Sequence, residues 1–349
     1  MVVLAWLVPD DEASLRSFVE HASAITHVSP TWLRLDASAQ LHAAPQPEVL
    51  EAARERGAAV VPLVVNEGFK AEVAAAILED PSRRRKGIDA LVRFAESQKA
   101  AGINLDFEGP FGAWRHHYTE FVHALAERLH ELGMRLSVDV VCQTEEPHPV
   151  EALRQPADPS RAGWVASWAE PYDYAALGEA VDQLVLMGYD FHSRLSEPGP
   201  VGPVWWLRRV LDYTLEKVPA SKVVLGLPFY GRRWVSIGPM PLASWQPPEP
   251  LAYRMPRSAR DAGFEAAAGL SFAQAKQEAA QATLRERRAV EGSPWAAFNR
   301  PDGRLVVVHY DDAESLAGKL GLVREYGLAG CAFWRLGQED PAVWRHLGA

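Results

Sequence analysis

Eight short apolar runs, separated by segments of helical period, limit this chain to a small set of folds. The runs cover residues 2–8, 27–35, 58–65, 102–107, 135–141, 183–189, 222–229 and 328–334. Between them, helix-like segments span 11–24, 47–56, 81–100, 114–132, 203–218 and 313–326, several starting with an acid or a proline in the first turn, as helix starts favour. Strands that alternate with helices predict a parallel sheet with crossover connections. Eight such strands close a (β/α)8 barrel, an α/β TIM barrel.

The interval between the seventh and eighth runs is too long for a simple crossover. It holds a proline-rich stretch (Pro239, Pro241, Pro247, Pro248, Pro250, Pro256), a predicted helix over 271–288, and a hairpin-like pair of segments, 295–299 and 304–310. Arg300-Pro301-Asp302-Gly303 between those segments is a turn signal. The expected organisation is therefore a barrel made of residues 1–235 and 309–349, with a small α+β subdomain of residues 236–308 inserted at its upper rim.

Within the fourth run, Gly102-Ile103-Asn104-Leu105-Asp106-Phe107-Glu108 sends Asn104, Asp106 and Glu108 to one face of a strand and Ile103, Leu105 and Phe107 to the other. A stray D-x-E usually faces solvent, but here the apolar partners interleave and Gly109-Pro110 ends the run as a strand-to-loop boundary would. Acids on a buried face need a counter-charge or a function. Asp106 and Glu108 repel each other, which raises the proton affinity of one of them, expected to be Glu108, toward that of a general acid.

A barrel gathers its functional groups where strands end at their C-termini. Those ends carry Asp106 and Glu108 after the fourth run, Met187-Gly188-Tyr189-Asp190 after the sixth, Tyr230-Gly231-Arg232 after the seventh and Trp334 after the eighth. Composition narrows the ligand. A formal charge of −9 opposes a nucleic-acid partner, whose phosphates require a basic footprint, and suits neutral or cationic ligands. His116, His117, His148 and His192 lack a metal-ligand spacing, so neither metal nor cofactor is expected. Cys142 and Cys331 are too few for a disulfide framework and are expected to be buried thiols. No apolar run reaches the roughly 18 residues of a membrane-spanning helix, and no membrane partner is expected. Residues 1–8 lack the basic start of an export signal and read as a first strand.

These residues resemble the family 18 glycoside hydrolases, chitinase-like barrels that act on N-acetylglucosamine polymers, and within them the branch of spore-cortex and peptidoglycan N-acetylglucosaminidases. The resemblance runs from the first strand to the C-terminus. It is carried by residues 102–108, by Leu186-Met187-Gly188-Tyr189-Asp190, by Leu225-Gly226-Leu227-Pro228-Phe229-Tyr230-Gly231-Arg232, and by Gly330-Cys331-Ala332-Phe333-Trp334. The family pattern D-x-x-D-x-D-x-E is broken twice, by Ala101 and by Asn104, while Asp106 and Glu108 are intact. The resemblance implies that Asn104 marks the cortex-lytic branch.

The resemblance further implies a retaining hydrolase of β-linked N-acetylglucosamine glycans, peptidoglycan or chitin-type. Its catalytic residues would be Glu108 as proton donor, Asp106 as the group that orients the sugar's 2-acetamido nucleophile, and Tyr189 as a hydrogen-bond donor to it. Asn104, Met187, Asp190, Tyr230, Arg232 and Trp334 would line the sugar site, with Trp334 as its floor. A monomer is expected, and an extracellular or cell-wall location would follow from the substrate. The alternative is a chitinase-like lectin with a dead site; such relatives typically lose the terminal Glu, which is present here as Glu108.

Other readings stay open for single residues. Tyr189 would also serve as an ordinary half-buried strand residue, and Asp190 with Arg232 as a rim ion pair. Trp32, Trp114, Trp168, Trp205, Trp206, Trp234, Trp245 and Trp295 are candidates to stack on sugar rings, with core packing expected for most. With an amide at position 104, Asp106 is expected to have no carboxylate on its inner side and to stay ionised, leaving Glu108 to carry the acidic-to-neutral titration.

Overall fold

A computed structural model describes residues 1–145, 168–247 and 256–347. His148, Pro248 and Pro250 lie outside the described residues. The eight expected strands are present and all pair in parallel. They are Val2–Leu7, a second strand in two pieces (His27–Pro30, Leu33–Leu35), a third in two pieces (Ala59–Val60, Leu63–Asn66), Gly102–Asp106, Arg135–Val141, Gln183–Met187, Val223–Pro228 and Gly330–Trp334. Each pairs with the next, and the eighth returns to the first through Val2 opposite Gly330 and Ala5 opposite Phe333. The sheet therefore closes on itself, and the fold is the (β/α)8 barrel.

Both faces of these strands are covered, as a parallel sheet requires. Outward residues such as Ile103, Leu105 and Phe107 are fully buried against the helix ring, while Leu4, Trp6, Leu63, Val185, Val224 and Ala332 fill the interior. Gly102 is demanded by close approach: a Cβ there would lie 2.0 Å from the Arg135 carbonyl oxygen of the neighbouring strand. The helices stop and start where local chemistry dictates. Asp80 caps Pro81–Gln98 by accepting from the Ser82 and Arg83 amides, and Asp312 with Ser315 forms a reciprocal cap at Ala313–Glu325. The helices Ala71–Glu79 and Tyr174–Ala180 were not expected from the sequence.

After the seventh strand the chain builds an antiparallel sheet of five strands, in the order Ala268–Ser271, Tyr230–Pro239, Arg304–His309, Pro294–Asn299, Leu284–Arg287. The sequence-based boundary at residue 236 falls inside the strand Tyr230–Pro239. Trp234, Trp295, Phe264, Leu305 and Val307 form the core of one face of this sheet, and Val235, Phe298, Val306 and Val308 that of the other. The hairpin turns at Arg300–Gly303, where Gly303 has φ +81° and donates to the Arg300 carbonyl. The helix predicted over 271–288 is corrected. It ends at Ala280, and Leu284–Arg287 is an edge strand on Pro294–Asn299, where cross-strand pairing outweighs local helical preference.

Among the described residues no helix is long and apolar enough to cross a membrane, and no group of three or more His, Cys, Asp or Glu side chains could hold a metal ion. Cys331 is buried, whereas Cys142, expected to be buried, is half-buried.

Candidate active site

The fourth strand ends at the barrel mouth, and its end is held by two residues. Asn66, at the end of the third strand, accepts from the Glu108 amide at 2.9 Å and donates to the Glu108 carbonyl at 2.8 Å. Tyr172 donates its hydroxyl to the Phe107 carbonyl at 2.8 Å. The regular strand ends at Asp106, and Gly109, just after Glu108, takes φ +124°, a conformation that favours glycine.

Asn104, Asp106 and Glu108 lie on the inner face as the alternation predicts. Asn104 is fully buried. Its Oδ1 accepts from the Trp6 indole and the Ser29 hydroxyl, each at 2.9 Å, and its Nδ2 donates to Asp139 Oδ1 at 2.8 Å. One amide therefore ties strands one, two and five to strand four. Trp334 lies above Trp6, with ring centroids 5.8 Å apart, and is half-buried at the mouth. Its peptide bond to Arg335 is cis.

Asp106 is 5% exposed, and its Oδ1 is buried without a hydrogen-bond partner. Among the described residues, no salt bridge or side-chain hydrogen bond neutralises Asp106 or Glu108. Burial, followed by the charge of Asp139, pushes the Asp106 carboxyl well above the ordinary aspartate range. Burial, then Asp106, then Asp190 do the same to Glu108, which is half-buried at the strand end. The expectation that Asp106 lacks a carboxylate on its inner side is thus corrected: Asp139, from the next strand, is that carboxylate, and it adds to the upward shift of Asp106.

The sixth strand ends in half-buried Met187, followed by half-buried Tyr189 and by Asp190 at φ +60°. Tyr189, like Trp334, packs against the interior cluster that includes Val185 and Val224, and its ring is 6.2 Å from that of Tyr230. Asp190 Oδ1 accepts from the Tyr230 hydroxyl at 2.5 Å and from Arg232 Nη2 at 2.5 Å, so the rim ion pair is formed. The Arg232 guanidinium also lies over the Tyr230 ring, 5.2 Å from its centroid. Of the predicted site residues, Asp106, Glu108, Tyr189, Asp190, Tyr230 and Arg232 thus connect through contacts or mutual charge effects, and Asn104 and Trp334 connect through Trp6. Met187 shares the mouth through its strand position alone.

Residues 54–339 match the model of the glycosyl hydrolases family 18. The chain belongs to that family. It is 25% identical to the cortical fragment-lytic enzyme of Bacillus subtilis (strain 168), over 80% of this chain and 56% of that protein, so it spans little more than half of that relative. Of solved structures, a chitinase from Chromobacterium violaceum ATCC 12472 superposes with a TM-score of 0.79 at 25% identity, covering 99% of this chain and 97% of that one. The spore cortex-lytic enzyme SleL of Bacillus megaterium QM B1551 superposes with a TM-score of 0.78 at 22% identity, over 99% of this chain and 73% of that one.

In this family 18 hydrolase the sequence reading missed Trp6, Ser29 and Asp139, which lie within strands other than the fourth, and Asn66, which ends the third strand but binds the backbone of Glu108. The signal for Asp139 was available: Ser137 and Asp139 alternate with Val138 and Val140 as Asn104 and Asp106 do with Leu105. Of the tryptophans considered for sugar stacking, Trp32, Trp206, Trp234 and Trp295 are buried in cores, while Trp114, Trp168, Trp205 and Trp245 are half-buried.

Proposed function

We propose that this family 18 glycosidase cleaves β-linked N-acetylglucosamine glycans with retention of configuration, using the substrate's 2-acetamido oxygen as nucleophile. The observation that carries the reading is a set of carboxyls at the barrel mouth, Asp106 and Glu108 among them, that are buried or half-buried without a cation. Glu108, with its proton affinity raised, protonates the leaving glycosidic oxygen. Asp106 faces the acetamido group and stabilises the positive charge that develops as its oxygen attacks the anomeric carbon. Tyr189 donates to that oxygen and holds it in line, and Trp334 is the floor beneath the sugar. Such enzymes depart from the two-carboxylate template because no protein nucleophile is needed.

Of the two substrate classes, the cortical relative's name favours peptidoglycan and the chitinase structure favours chitin. Digestion of purified peptidoglycan and of chitin oligomers, with mass analysis of the products, separates them. Anomer-resolved NMR of the fresh product tests the mechanism: double inversion predicts an initial β anomer, and an initial α anomer overturns it. A glycan of the same linkage with free amines should bind but hardly react, since an ammonium has no carbonyl oxygen. A lectin would bind these glycans without releasing any product.

A further inference from the structure

We propose that Asp139, on the fifth barrel strand, is the proton partner of Asp106, so that the acid absent from position 104 is supplied from the neighbouring strand. The inference rests on the reading of Asp106 as the group that faces the acetamido of the sugar.

Strand register carries the argument. Asn104 pairs with Ser137 and Leu105 with Val138, so one further step along each strand brings Asp106 alongside Asp139. Neighbouring strands lie about 4.8 Å apart. Asp139 points inward, because its Oδ1 receives the Asn104 amide at 2.8 Å, and it is 1% exposed. Asp106 Oδ1 is buried beside it with no partner. The titratable groups around the pair are Glu108 at the same strand end, Asp190 and Tyr189 after the sixth strand, Tyr118 on the helix Arg115–His130, and Tyr172. None is cationic, and Arg232, on the rim, is engaged by Asp190.

Two carboxyls so placed cannot both ionise at low cost, so they hold one proton between them. The Asn104 N–H stabilises the anion on Asp139, which leaves the shared proton on Asp106 in the free enzyme. When the acetamido oxygen attacks and positive charge develops beside Asp106, the proton passes across: the O–H bond on Asp106 breaks and one forms on Asp139. The pair carries a single negative charge throughout, and only its location changes. No other reactant is required.

The same geometry explains the amide at position 104. Its oxygen must accept two hydrogen bonds, from Trp6 and Ser29, while its other end donates to Asp139. An ionised aspartate there would accept from the first two and repel the third. Asn104 and Asp139 are thus positioning residues, with Asp106 the group that meets the substrate.

The test combines a titration with an exchange of side chains. In carboxyl-13C-aspartate protein, with Asp106→Asn used for assignment, wild type should show Asp106 titrating above the ordinary aspartate range, and Asp139→Asn should move it to more acidic pH. In kinetics, Asp139→Asn should lower kcat about tenfold or more, with KM little changed and the pH-rate profile shifted. The exchanged variant Asn104→Asp/Asp139→Asn rebuilds the pair with the acid on strand four, where the introduced carboxylate still accepts from Trp6 and Ser29 and also from the new amide on strand five. It should recover most of the lost kcat and the wild-type profile. The proposal is overturned if no wild-type aspartate titrates above the ordinary range, a result that needs no variant to fold. It is equally overturned if Asp139→Asn leaves the Asp106 titration in place, or if activity falls with an unshifted profile and the exchange recovers nothing. Failure of the glycosidase reading looks different: wild type then releases no product from any N-acetylglucosamine glycan, while the titration still decides whether the pair shares a proton.

Discussion

Lys319 and Asp311, where the helix Ala313–Glu325 meets the end of the inserted sheet, are buried as completely as Asp106 and Asp139 at the barrel mouth, yet the two clusters are handled in opposite ways. At the first, Lys319 Nζ lies 2.6 Å from Asp311 Oδ1, which also accepts from Ser293 at 2.9 Å and Ser315 at 2.7 Å. A cation meets its anion and two hydroxyls join it on Oδ1, while Oδ2 is buried without a hydrogen-bond partner. At the second, Asp106 and Asp139 come from adjacent strands with no cation paired to either among the described residues, Asp139 accepts from the Asn104 amide, and Asp106 Oδ1 has no partner. Burial of charge is therefore tolerated in this fold for two reasons. Lys319 and Asp311 join two parts of the chain, whereas Asp106 and Glu108 make no side-chain joint among the described residues and are best explained by chemistry.

The contrast can be broken most forcefully at the paired cluster. Lys319→Met leaves Asp311 buried without its cation and should cost about 3–5 kcal/mol in urea unfolding, while turnover per folded molecule is retained. A loss comparable to that of an exposed ion pair, under about 1 kcal/mol, would erase the distinction between the clusters.

At the mouth the expected damage is to rate. Glu108→Gln keeps the shape and removes the proton donor, so turnover should fall at least about a hundredfold while glycan binding persists. Near-native cleavage of unactivated glycan by this variant would remove Glu108 from the acid's role. Tyr189→Phe deletes one hydroxyl that matters most while the acetamido oxygen attacks. We expect about a tenfold fall in kcat with a smaller change in KM. A change confined to KM would return Tyr189 to the role of a packed strand residue.

How far these features were legible follows from their physics. The barrel was readable because strands buried on both faces give short apolar runs, and the fourth strand because Asn104, Asp106 and Glu108 interrupt its run at period two. The partners of those residues were harder. Asp139, Trp6 and Ser29 sit within their strands, short of the segments beyond the ends where a barrel's functional groups are sought, and the barrel brings them to Asn104 across 35, 98 and 75 residues of chain. Asn66 was invisible for a related reason: its task is to hold the backbone of Glu108, and such a task leaves no pattern in side-chain types. In the insertion, Leu284–Arg287 looked helical because its exposed edge carries Arg285, Glu286 and Arg287, residues as suited to a solvated helix as to an edge strand.

The smallest expected effect is thermodynamic, and it separates a mouth that costs stability from a pair that supplies it. The Glu108 carboxyl binds its proton more tightly in the folded protein than in the unfolded chain. Over the interval between the unfolded value, about 4.3, and the higher folded one, the folded state holds more protons, so stability falls as pH rises. The cost is absent below that interval and complete above it. Glu108→Gln cannot ionise and escapes the cost, so the variant should melt above wild type at neutral pH, by on the order of 1–2 °C, and level with it in acid near pH 4. Parallel melting curves for the two proteins across this range would mean that Glu108 carries no burden of buried charge. The half-exposed carboxyl would then resemble an ordinary surface acid, and the contrast with Lys319 and Asp311 would rest on Asp106 and Asp139 alone.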